Sequence, residues 1–144
     1  MKRIKLLATS LLALSLGPVG VVLATYPVMP EVQTQNGIHY VVGGIGKEQS
    51  EAMKVAAHDY DLMLTFATDY GKYLADIGVQ IEDMNGNTLL NTVSEGPLFL
   101  AKLPVGRYKI TASAQGTCRT RVVDIGGERP TKVILFQWSG YAMD

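Results

Sequence analysis

Two histidines, a single cysteine and one glycine-rich turn are the residues with which this 144-residue chain could do chemistry. His58 stands in the run His58-Asp59-Tyr60-Asp61. A catalytic zinc site takes about three protein ligands of such types, so a metal-binding reading is open. Helix geometry, however, points neighbouring positions in different directions, and a solvated helix end is the simpler account. A hydrolase with a dispersed site using His39 or His58 is a further alternative, because catalytic triads are assembled in space rather than along the chain. No G-x-S-x-G elbow is present. Gly43-Gly44-Ile45-Gly46 lies between a strand pattern and a helix pattern, where a phosphate loop would lie. It lacks both G-x-G-x-x-G and G-K-[ST], and Glu48 and Glu51 would repel a phosphate from the helix start. The expectation is a flexible turn, and no cofactor is called for. Cys118 lies beside Arg119, with Arg121 two residues further on. Strand alternation puts it opposite the arginines, which predicts a buried thiol acting as a small hydrophobe. An exposed one would leave an intermolecular disulfide open.

The elements that would position these residues are mostly strands. "IHYVV" from Ile38 and "DLMLTFA" from Asp61 are β-branched or apolar runs. Between them Met53, Ala56, Ala57 and Tyr60 recur at i, i+3, i+4 and i+7, one face of a helix of about three turns. Residues 38–67 therefore read as a strand–helix–strand element, preceded by an extended lead-in over 25–37. From Tyr73 onward the pattern is β throughout, in six short strands separated by turn signals. Ile77, Val79 and Ile81 share one face, as do Tyr108, Ile110 and Ala112. Asn85-Gly86 marks a tight hairpin. Pro104 sets φ for a turn and Gly106 supplies a positive φ. Tyr108 then enters the core needing a partner for its hydroxyl.

The run Leu74-Ala75-Asp76-Ile77-Gly78-Val79, Asn85-Gly86, Thr92, Ser94 and Gly96, and then Leu103-Pro104, Gly106, Tyr108, Ile110, Ala112 and Gly116, resembles the carboxypeptidase regulatory-like domain family. The resemblance covers roughly residues 71–125. It implies a prealbumin-like, Ig-like antiparallel β-sandwich over 71–138, with the strand–helix–strand element as an addition and 139–144 as a tail. Two departures stand out: Ser94-Glu95-Gly96-Pro97 replaces the family's usual acidic loop, and no zinc peptidase accompanies the module. Hydroxyisourate hydrolases share the transthyretin-like architecture, but their several histidines and C-terminal Tyr-Arg-Gly-Ser have no counterpart in a chain ending Ser139-Gly140-Tyr141-Ala142-Met143-Asp144.

Lys2, Arg3 and Lys5 precede an apolar run that ends in Val22-Leu23-Ala24. That is the pattern of a secretory signal peptide over 1–24, cleaved after Ala24, with an uncleaved anchor as the rival. Cleavage removes three cations and no acids, taking the formal charge from 0 to −3. Such a balance does not fit nucleic-acid binding, and stable membrane insertion is not expected after cleavage. The expectation is a periplasmic or secreted, non-enzymatic module acting in binding or structural interactions in the cell envelope. An envelope protein pairing with a sheet edge is the partner foreseen. Tyr70, Tyr73, Trp138 and Tyr141, near predicted strand ends, are the candidate partner surface.

Overall fold

The computed structural model describes residues 28–128 and 130–140. The segment read as a signal peptide, with its expected cleavage point at Ala24, and Tyr141 in the tail lie outside the described residues. Nine strands and one helix follow in chain order: β1 (Gln33–Gln35), β2 (Ile38–Gly43), α1 (Lys47–Ala56) running into a single 3-10 turn (Ala57–Asp59), β3 (Leu62–Thr68), β4 (Ile77–Asp83), β5 (Thr88–Ser94), β6 (Leu98–Ala101), β7 (Gly106–Ala114), β8 (Thr117–Ile125) and β9 (Lys132–Trp138). They form a five-stranded sheet, β1-β2-β6-β3-β9, and a four-stranded sheet, β5-β4-β7-β8. Pairing is antiparallel everywhere except between β3 and β9, which run parallel. The protein is a mainly-β sandwich with one small helix.

Period-2 alternation places the core. Ile77, Val79 and Ile81 of β4, Leu90 of β5, and Ile110 and Ala112 of β7 turn inward from one sheet. Leu62, Leu64 and Phe66 of β3, Phe99 of β6, and Ile134, Phe136 and Trp138 of β9 meet them from the other. A second cluster lies on the outer face of the five-stranded sheet. There Met53 and Ala57, on the apolar stripe of α1, cover Val41, Leu98 and Leu100. All four residues of β6 are consequently buried, two beneath the helix and two in the sandwich.

The segments 38–67 and 71–138, which the sequence reading treats as separate units, share one sheet. β6 lies between β2 and β3 and is antiparallel to both. The strand–helix–strand element is thus a crossover that straddles β6, built into the sandwich. Close approach at this point requires glycine, since a Cβ on Gly96 would overlap the Gly43 carbonyl.

Turn chemistry follows local sequence. Asn36-Gly37 and Gln115-Gly116 both take positive φ at both positions, the geometry of two-residue type I′ hairpins. The Asn85-Gly86 hairpin has a longer loop, held by the Asp83 carboxylate, which accepts from the Asn85 and Asn87 amides and the Asn87 side chain. Those bonds, the Asn87 side chain first, hold the Asp83 pKa below its ordinary value. Tyr108 finds its partner in the Pro104 carbonyl at 2.6 Å. Burial, then the Asp61 and Asp83 charges, pushes the Tyr108 phenol upward. Gly106 takes the positive φ expected of it, 159°, as the first residue of β7, and a Cβ there would meet the Tyr108 ring.

Candidate binding edge at β9

Of the residues singled out for chemistry, most are committed elsewhere. The Gly44 and Ile45 amides both donate to the Gln49 side-chain oxygen, at 2.9 and 3.1 Å, so the donors a phosphate would need are satisfied. This loop is held by Gln49 and by Leu98, against which a Cβ on Gly44 would press, and is not a free turn. His39 is exposed on β2, its Nδ1 2.9 Å from Thr34 Oγ1. His58 is exposed in the 3-10 turn. No hydrogen bond joins the two histidines among the described residues, and none of these residues forms a group of three or more metal-binding side chains.

Cys118 is exposed, contrary to expectation. The register explains why. Ile110 pairs with Arg121 and Ala112 with Arg119, so the arginines share the inward face with Val123 and Ile125. Cys118, Thr120 and Val122 therefore face solvent. The aromatic set divides as well. Tyr70 and Tyr73 are exposed, and Lys54 Nζ reaches the Tyr73 hydroxyl at 3.2 Å. Trp138, a candidate for the partner surface with core filling as the alternative, is core: it is 1% exposed, stacks with Phe136, packs beside Phe66, and donates to the Thr117 carbonyl. A strand residue of inward parity at a sheet edge is core when the opposite sheet reaches over it.

What the fold leaves open is the outer edge of β9. Lys132 N donates to Asp61 O, and Trp138 O accepts from Asp69 N, so even-numbered residues of β9 turn their main chain toward β3. Odd-numbered residues turn theirs away, and Gln137 O accepts from Arg119 Nε on β8 at 3.2 Å. Val133 and Leu135 lie on that same open edge. Their side chains are 59% and 44% exposed on the outer face of the sheet, beyond the reach of α1.

A groove of about 390 Å³ opens beside the start of β9, lined by His58, Tyr60, Met63, Pro130, Thr131 and Val133. A narrower one of about 280 Å³ continues between β8 and β9, past Asp124, Ile125, Lys132 and Val133. Thr131 fixes the groove wall, its hydroxyl lying 2.6 and 2.7 Å from the Ala57 and Tyr60 carbonyls at the end of the 3-10 turn. Asp61 fixes the floor by accepting from Leu103 N at 2.9 Å. Burial, and then the neighbouring Asp59, raises the Tyr60 phenol pKa, while Lys102 lies 5.5 Å from its ring centre. The groove thus has a mixed lining, with Met63, Pro130 and Val133 beside Lys54, Asp59 and Asp61, a neutral phenol and a hydroxyl already occupied. Sequence reading missed this edge because it turns on the parallel β3–β9 pairing, which no local pattern encodes.

No family model and no curated protein matches the chain. Among solved structures it is similar to the 5-hydroxyisourate hydrolase of Klebsiella pneumoniae, at 21% identity and a TM-score of 0.44, over 56% of this chain and 90% of that one. The carboxypeptidase regulatory-like family is therefore not established, and the coarser two-sheet fold is what stands. The expectation of a non-enzymatic module does not stand, since the solved chain to which this one is similar is a hydrolase and a sandwich fold does not argue against catalysis.

Proposed function

We propose that the protein takes up an extended segment of another protein as an added strand along β9, in the periplasm or outside the cell. One observation carries this reading: the N-terminal half of β9 presents main-chain donors and acceptors at Val133 and Leu135 that no described residue pairs, flanked by exposed apolar side chains. Strand addition uses such groups, main-chain bonds supplying affinity and alternate side-chain pockets supplying selectivity. Long open edges with apolar flanks invite uncontrolled pairing and are normally blunted. Here Arg119 covers the Gln137 carbonyl and leaves the remainder available. Outward side chains of the added strand would pack beside Val133 and Leu135.

Proline separates the two faces of β9. Leu135→Pro removes an N–H that points away from β3, so the fold is expected to survive. A photo-crosslinking side chain placed at Val133 should capture a discrete partner in cells that the same group at Val93, on the β5 face, does not. Leu135→Pro should abolish that capture while the circular dichroism stays unchanged. Equal capture from both positions, or capture indifferent to the proline, would sink the reading.

A further inference from the structure

β8 and β9 belong to different sheets but run side by side in opposite directions. Thr117 and Arg119 touch Trp138 and Gln137 at one end, and Asp124 and Ile125 face Lys132 and Val133 across the narrower groove at the other. Two residues along from Arg119, a rise of about 7 Å, Arg121 comes level with Leu135. Both arginines have inward parity on an edge strand. Arg119 uses it to reach the Gln137 carbonyl. Arg121 is exposed and makes no hydrogen bond or ion pair with any described residue. Lys132 adds a third exposed cation at the start of β9. The carboxylates of this stretch are engaged: Asp124 is held at 2.7 Å by Arg107, and Asp61, which lines the same groove, accepts from Leu103 N. Level with Leu135 itself, the charged side chain that faces the open edge is the Arg121 guanidinium.

We infer that the strand received by β9 is acidic, with a carboxylate at an inward position gripped by Arg121 and apolar residues at the alternate positions covering Val133 and Leu135. This rests on the strand-addition reading above. An added strand places every second side chain over the gap between β8 and β9, where Arg121 lies. A carboxylate there meets a guanidinium fork in bidentate geometry. An apolar residue would instead strip water from an unpaired cation, and a basic one would meet like charge. The outward positions lie beside Val133 and Leu135, which favours branched aliphatic side chains.

The test uses three capped, fluorescently labelled peptides that alternate valine with glutamate, glutamine or lysine. Binding to the purified protein is read by anisotropy, with amide exchange at Leu135 as the site readout. The glutamate peptide should bind about tenfold tighter than the glutamine peptide, the size of one charge-assisted contact, and the lysine peptide weakest. Added salt should erase that preference. Arg121→Gln should bring the glutamate peptide down to the glutamine peptide's affinity and leave the latter unchanged. Equal binding of the glutamate and glutamine peptides, with Leu135 protected, would overturn the acidic partner and leave strand addition standing. Failure of every peptide to protect Leu135 would overturn both. A dimer that Leu135→Pro dissolves and that excludes the peptides would assign the edge to a second copy and overturn the acidic partner.

Discussion

The two open sides of the sandwich are finished by different chemistry. On the β1–β5 side the closure is neutral. The Gln35 side-chain amide exchanges two hydrogen bonds with the main chain of Asn91, its nitrogen donating to the carbonyl and its oxygen accepting from the N–H. Asn36 donates to the Leu89 carbonyl at 2.8 Å. Those two amides stand where another strand would, and they occupy β5 main-chain groups from the tip of the β1–β2 hairpin. On the β8–β9 side closure is aromatic and cationic, and it stops halfway. Trp138 and Arg119 join the strands at one end; beyond them lie Arg121, Val133 and Leu135. An edge sealed by neutral amides has little left to offer a partner. An edge closed at one end and charged at the other keeps a docking strip without exposing its full length.

The largest difference between the sides should appear when each closure is removed. Trp138 is the largest side chain in the core and bonds to Phe66 and Phe136 through ring contacts. Trp138→Ala should cost about 3–5 kcal/mol, measured by denaturant unfolding. Trp138→Phe, which keeps the ring but loses the bond to Thr117, should recover most of that. A Trp138→Ala loss near 1 kcal/mol would mean that the aromatic end of this side is no more than a polar clasp.

The register of each strand against its neighbours decided how far the sequence could be read. Within a strand, alternation located the inward faces of β4 and β7 and the stripe of α1 from residue types alone. Tyr108 likewise announced a need for a hydroxyl partner, which Pro104 meets. Cys118 and the arginines show the limit. A polar-rich strand such as β8 carries its inward apolar residues only at Val123 and Ile125, with Val122 on the opposite parity, and taking the wrong parity inverts every side chain. The insertion of β6 between β2 and β3 was equally hidden, since β6 pairs with residues more than 30 positions away in the chain. The candidate site inherits both gaps: it depends on which side of β9 meets β3 and on which face of β8 holds Arg121.

A smaller effect is expected on the neutral side. Gln35→Ala removes both bonds to Asn91 and should cost about 1 kcal/mol. Amide exchange at Asn91 should quicken while Leu135 is unaffected. Restoration by Gln35→Asn is not expected, because its shorter side chain cannot span to β5. Coupled quickening at Leu135 would show that the two sides open together and would erase the contrast between them.

The smallest effect distinguishes the sides by pH. Asp83 holds the β4–β5 hairpin on the neutral side, and its bonds to Asn87 and the loop amides keep its folded pKa below the unfolded value. A depressed acid contributes stability that is fully present above the unfolded pKa and is lost as pH falls through the folded one. Stability should therefore decline as pH drops below the ordinary aspartate range, and Asp83→Asn should flatten part of that decline. Arg107–Asp124, the exposed pair on the β7–β8 side, gives the internal control, since surface pairs contribute little and are screened by salt. Unfolding followed from pH 7 to pH 2 at low and high salt separates the two. The Asp83 contribution should persist in salt, because hydrogen bonds from loop amides carry it, whereas any contribution from Asp124 should fade. Identical profiles for Asp83→Asn and the parent would place the acid sensitivity elsewhere and leave the hairpin loop held by its backbone alone.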